Sequence, residues 1–134
     1  MSENLDLVRS IGAAWQRGDY SSGGWAHPEI DFVIADGPSP GEWAGHAGMA
    51  EGWHAFLSAW DAFRGAATEE ERELENGRVL VLHSYTGRGK SSGLDVGQTP
   101  IRAATIFHVR DGRVTRLVLY FDRDRALADL GLKE

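Results

Sequence analysis

The chain contains no cysteine in 134 residues. That excludes disulfides, thiolate nucleophiles and cysteine metal sites. It has only four prolines and two methionines, and no uninterrupted apolar run of the length of about 18 residues that a membrane-spanning helix requires. It is also short of positive charge: 14 Lys and Arg stand against 20 Asp and Glu, for a formal net charge of -6. An acidic surface without a basic stripe repels phosphate backbones, so nucleic acid is not an expected partner and neither is a membrane. The start, Met1-Ser2-Glu3-Asn4-Leu5-Asp6, lacks the basic flank and apolar stretch of a secretion signal, which sets the expectation of a cytoplasmic protein.

What is present is an ordinary globular balance, 42% hydrophobic and 25% charged, in a chain of one-domain length. The whole of 1–134 is therefore expected to form a single domain. Leu5, Val8, Ile11 and Trp15 recur at three- and four-residue steps and predict a helix over 3–17, ended by Gly18-Asp19. Residues 20–28 hold too many breakers for a regular element and predict a loop. Ile30 to Asp36 predicts a strand, Gly37-Pro38-Ser39-Pro40-Gly41 a turn, and Met49, Trp53, Phe56, Leu57, Trp60 and Phe63 one face of a helix over 45–63. The second half predicts an edge strand at 66–75, strands at 79–85, 101–109 and 114–121, and a closing helix at 123–130. Tight turns are expected at Asn76-Gly77 and Asp111-Gly112. Two helices followed by a run of strands make an α+β fold with helices on one face of an antiparallel sheet.

Several stretches carry a resemblance. Trp15-Gln16-Arg17-Gly18-Asp19, His27-Pro28-Glu29-Ile30, the glycine-rich Gly87-Arg88-Gly89-Lys90-Ser91-Ser92-Gly93, and Asp111-Gly112-Arg113-Val114 with Tyr120-Phe121-Asp122-Arg123 resemble the SnoaL-like branch of the nuclear transport factor 2-like superfold. The resemblance covers nearly the whole chain. It implies a cone-shaped curved sheet wrapped around the helices, an apolar pocket, and a range of functions that includes isomerases, cyclases, hydrolases and non-enzymatic binders.

Asp36 stands nine residues before Gly45, where the related ketosteroid isomerases carry a catalytic aspartate. A carboxylate at an apolar pocket mouth is suited to proton abstraction beside a carbonyl. Asp36 is equally suited to starting the turn that follows it. The other isomerase groups are replaced by Ile11 and Thr105. The Arg of the limonene epoxide hydrolases is matched by Arg102, without the flanking aspartates of that site. SnoaL-type cyclases need less: one aspartate and one histidine. That resemblance implies Asp36 and His83 as catalytic residues, with His46 and His54 as further candidates. Trp15, Trp25, Trp43, Trp53, Trp60, Tyr85, Thr105 and Tyr120 are the expected pocket lining, since aromatic walls give large contact area at low entropy cost. Alternation puts Arg102 on the opposite face from Thr105. Asp122 is expected to cap the last helix, and Arg123, Asp124 and Arg125 to form a solvated face. The five histidines show no zinc spacing, so no metal and no cofactor is expected.

Two functional readings stand at this level. One is an acid/base isomerase, cyclase or hydrolase acting on a small apolar carbonyl or ring compound. The other is a non-catalytic ligand-binding or dimerising domain. The sheet faces that carry Leu80 and Leu82, or Ile106 and Leu117, are apolar enough to predict a homodimer, because an apolar sheet face left in water is a liability. Light scattering at micromolar concentration is expected to give twice the chain mass of 14.7 kDa; the monomer mass removes the dimer.

Overall fold

The computed structural model describes residues 3–16, 24–36, 40–58, 64–86 and 101–131. The elements run α1 (Glu3–Gln16), β1 (Ala26–Ile34), β2 (Gly41–Ala44), α2 (Gly45–Ser58), β3 (Arg64–Glu73), β4 (Arg78–Thr86), β5 (Ile101–Arg110), β6 (Arg113–Tyr120) and α3 (Arg123–Leu130). The strands form one six-stranded sheet in the order β2-β1-β6-β5-β4-β3. The expected α+β class holds, with one difference in the sheet. It is mixed rather than wholly antiparallel, because β1 pairs in parallel with β6 while the other pairings are antiparallel. The first and last long strands meet only after the chain has returned through α2 and the hairpins, and that return fixes their relative direction.

Both predicted hairpin dipeptides make their turns by the expected means. Asn76 and Gly77 have φ of 64° and 74°, and Asp111 and Gly112 have φ of 53° and 76°. At Asp111-Gly112 two successive positive φ values twist a two-residue connection to match the right-handed twist of its strands, whereas Asn76-Gly77 ends a longer connection in which Glu75–Gly77 form a 3-10 turn. Register shifts interrupt β1 between Ala26 and Asp31, β3 between Thr68 and Glu70, and the β5–β6 pair between His108 and Val109. Such irregularities bend the strands that carry them. The first explains why the reading of 20–28 as loop stops short. Pro28 has no N–H to give to a ladder, yet it lies inside β1, where the pairing with β6 is already broken. The four-residue β2 was not anticipated, being too short to show a period beside the Gly-Pro turn.

Alternation divides the core in two. Ile30, Phe32 and Ile34 of β1, Val79 and Val81 of β4, Phe107 of β5, and Leu117 and Leu119 of β6 face α1 and α2, which bring Val8, Ile11, Met49 and Trp53. Val33, Leu80, Leu82, Ala104, Ile106, Val118 and Tyr120 face the other way, where α3 lays Ala126 and Leu127 on them. We call these the inner and outer faces. Ile106 and Leu117, paired in the sequence reading as one apolar face, belong to opposite faces, and α3 covers part of the outer one. No helix among the described residues is long and apolar enough to cross a membrane.

The packing of α2 on β1 leaves no room at Gly52. A Cβ there stands 2.5 and 2.6 Å from two ring carbons of Phe32 and 2.9 Å from Trp43. Gly52→Ala therefore sets an overpacking cost of about 1–3 kcal/mol against a helix-propensity gain of about 1 kcal/mol. The expected result is a lower urea midpoint; a raised midpoint contradicts this packing.

Candidate functional site

Near the middle of β4 and β5 the inner face carries a buried polar pair. There His83 and Thr105, 3% and 1% exposed, are joined by a 2.7 Å hydrogen bond between Nε2 and Oγ1. Strand pairing explains the meeting. His83 is opposite Ala103 and Val81 is opposite Thr105, so the two polar side chains are diagonal neighbours on one face. Alternation gives the face: His83 falls in step with Val79 and Val81, whose side chains join the inner core. Burial, assisted by the charge of Arg123 and opposed by that of Glu69, pushes the His83 pKa down from 6.5 to about 4. The imidazole is neutral at physiological pH, with the hydrogen-bonding versatility of a group that both donates and accepts.

Arg123, at the start of α3, reverses the expectation of a solvated face. It is 4% exposed. Its Nε donates to the Ala103 carbonyl at 3.3 Å and Nη2 to the His83 carbonyl at 3.0 Å. Nη1 and Nη2 also reach the two Glu69 oxygens at 3.2 and 3.0 Å. The guanidinium thus ties α3 to β3, β4 and β5, and its bond to Glu69 holds that carboxyl below the usual range. A charge run in a sequence ordinarily means solvent, and no local signal separates Arg123 from its neighbours Asp124 and Arg125, which are exposed.

Asp36 is half-buried and its carboxylate accepts two backbone N–H groups, from Phe121 at 2.5 Å and Asp122 at 3.2 Å. These lie 85 and 86 residues away, so the side chain closes the end of β1 onto the β6–α3 junction rather than its own turn. Asp122 in turn accepts from the N–H groups of Asp124 and Arg125, the helix cap read from the sequence. Asp36 and the His83–Thr105 pair are not joined by a hydrogen bond.

Of the expected lining, Trp53 and Trp43 flank Phe32, with ring centroids 5.0 and 5.9 Å from it, and Trp25 packs against the same core. Tyr120 lies on the outer face, away from Thr105. Its hydroxyl donates to Asp129 at 2.8 Å, and burial with that bond pushes its pKa up to about 12. One pocket cannot take both residues. Trp60 and the side chains of Trp15 and Tyr85 lie outside the described residues. His46 is exposed and bonds the Ala26 carbonyl at 2.9 Å; His54 is exposed as well. Arg102 is exposed, on the opposite face from Thr105 as alternation requires.

The model of the SnoaL-like domain family matches residues 8–117. The chain belongs to the SnoaL-like family. Solved structures share its fold. A nuclear transport factor 2-like protein of unknown function from Burkholderia pseudomallei K96243 superposes with a TM-score of 0.75 at 21% identity, over 96% of this chain and 97% of that one. TerC, co-crystallised with polyporic acid, gives 0.72 at 24% identity, over 96% and 98%. A protein from Xanthomonas campestris pv. campestris described as a candidate polyketide cyclase gives 0.67 at 22% identity, over 94% and 95%. No curated protein matches the chain. At these identities the likeness carries the fold alone, and a fold by itself does not fix a function.

Two outcomes follow from the site's electrostatics. Arg123→Met strips donors from two buried carbonyls and is expected to cost about 3 kcal/mol in chemical denaturation. Glu69→Gln is expected to cost less than about 1 kcal/mol, because that side chain is 45% exposed. Equal losses contradict the assignment of the cost to the carbonyls. Separately, unfolded His83 takes its proton near 6.5 and the folded protein only near 4. The unfolded state therefore binds more protons in that window, and stability falls as pH drops through it, by up to about 3 kcal/mol. His83→Phe should flatten this dependence in urea titrations between pH 4 and 7; an unchanged slope assigns it to other groups.

Proposed function

We propose that this SnoaL-like chain binds a small, mainly apolar carbonyl or ring compound on the inner side of its sheet, with the neutral His83 and Thr105 as the polar contact. The observation that carries the reading is the His83–Thr105 bond, a buried polar pair among apolar side chains. Buried polar groups are costly unless satisfied, so a pair retained here fits a role in orienting a ligand oxygen. Trp53, Trp43 and Trp25 supply aromatic surface on the same side. Family membership supports the same class of ligand, and the co-crystallisation of TerC with polyporic acid is in keeping with it.

In the catalytic form of this reading His83 moves the proton. A neutral imidazole accepts one from a carbon beside a carbonyl, or donates its N–H to a developing enolate, while Thr105 fixes its ring. This is the acid/base chemistry of an isomerase, cyclase or hydrolase. The carboxylate of Asp36, engaged by two backbone N–H groups at the β6–α3 junction, favours a second reading, binding without turnover.

The test uses 2-hydroxy-1,4-naphthoquinone as probe, followed by tryptophan quenching and by its absorbance over time. His83→Phe and Thr105→Val are each expected to weaken binding about ten-fold, the cost of one buried hydrogen bond. Asp36→Asn is expected to leave affinity unchanged and to lower stability. Equal affinity in all three variants overturns the assignment; weakening by Asp36→Asn alone moves the site to the end of β1. Binding with no change in the probe's spectrum over time supports the second reading.

A further inference from the structure

Beside His83, β3 falls out of step with its neighbour. Thr68 pairs with His83 and Glu70 with Leu82, so Glu69 is an extra residue on its strand. A bulge of this kind takes one residue out of the alternation and re-aims its side chain. The Glu69 carboxylate turns to Arg123, on the α3 side of the sheet.

The guanidinium stands behind the inner site. Its two carbonyl acceptors, those of His83 and Ala103, belong to one directly opposed strand pair, and the imidazole leaves that pair on the other side. The cation is 4% exposed and the Glu69 side chain 45%. Solvent screens an exposed charge more than a buried one, so the two charges do not cancel at the inner site. The downward push of Arg123 on the His83 pKa accordingly outweighs the upward push of Glu69.

The other charged groups of the surrounding elements leave this balance positive. On β3, Glu71 is joined to Arg9 of α1 at 2.9 Å, and Glu70 to Arg72 at 2.7 Å. On β5, Arg102 sets a second positive charge near Glu69. Around the start of α3, Asp36 and Asp122 each accept two backbone N–H groups, and Asp124 is exposed. The chain as a whole carries a formal charge of -6, so the excess is local.

A buried positive charge favours the anionic form of an acid bound near it. A hydroxyl and a neutral imidazole supply hydrogen bonds of the kind an oxyanion takes. We infer, on the strength of the inner-site reading, that Arg123 is a specificity-determining residue: from behind the His83–Ala103 pair it makes the inner site take a weakly acidic ring compound, an enol or a phenol, as its conjugate base. Arg123 acts through the strands it spans, and Glu69 opposes it.

The experiment titrates the full chain with para-nitrophenol, whose anion alone absorbs in the visible, and separately with para-nitroanisole, which has no such proton to lose. Bound nitrophenol is expected to ionise about one pH unit lower than free nitrophenol. Nitroanisole is expected to bind about ten-fold more weakly. Glu69→Gln should enlarge the ionisation shift, Arg123→Met abolish it, and Arg123→Lys, which keeps the charge, retain part of it. A merely structural role loosens the site in both Glu69→Gln and Arg123→Met and shrinks the shift in each. That result overturns the inference, and Glu69→Gln decides the matter if Arg123→Met does not fold. Unshifted ionisation on the unmodified chain, or equal affinity for nitroanisole, overturns it and leaves the inner-site reading standing. Failure of both probes to bind, or binding that His83→Phe does not weaken, overturns the inner-site reading and the inference with it.

Discussion

A buried guanidinium must be surrounded by acceptors, and meeting that demand shapes one end of this molecule. Arg123 takes carbonyls from β4 and β5 and the carboxylate of Glu69 from β3. To bring it there, α3 must start at one place and point one way. Asp122 caps that start, and Gly131, in the left-handed conformation with φ of 72°, ends the helix. Asp36 then grips the backbone at the same junction from β1. Four strands and one helix thus converge on residues 120–125, and the acceptors of one cation set their spacing.

The same cation reaches the inner face without entering it. Its charge adds to desolvation in keeping His83 neutral, and its bond to the His83 carbonyl fixes the backbone from which the imidazole projects. The polar centre of the proposed pocket is therefore held by a residue at the other end of the sequence. The charges of Arg123 and Glu69 act on His83 in opposite directions, the first lowering its pKa with burial and the second raising it.

The two sheet faces have different tasks. The inner face meets α1 and α2 and carries the buried His83–Thr105 pair among apolar side chains. The outer face is apolar under α3. A period of two makes this division inevitable once register is set. In β5, Thr105 and Phe107 go inward while Ile106 and His108 go outward. Residues adjacent in sequence thereby serve separate surfaces, and a list of candidate pocket residues drawn from one strand mixes the two. Tyr120 of β6 and Thr105 of β5 were grouped because the sequence does not say which face of each strand looks inward.

The sequence by itself determined what depends on neighbours within a few residues. Branched and aromatic runs marked the long strands. Asn76-Gly77 and Asp111-Gly112 marked the hairpins, because few dipeptides accept two positive φ angles. Helical spacing placed α1 and α2, Asp122 announced its helix, and local motifs revealed the SnoaL-like family. Only the tertiary structure decided the rest. Which face of β4 looks inward depends on where the helices land. The parallel pairing of β1 with β6, the two N–H groups that occupy Asp36 from 85 and 86 residues away, and the burial of Arg123 beside exposed Asp124 and Arg125 all follow from chain return. Periodicity carries no record of a partner that distant, since a side chain's nearest acceptors in space are set by packing and not by spacing along the chain.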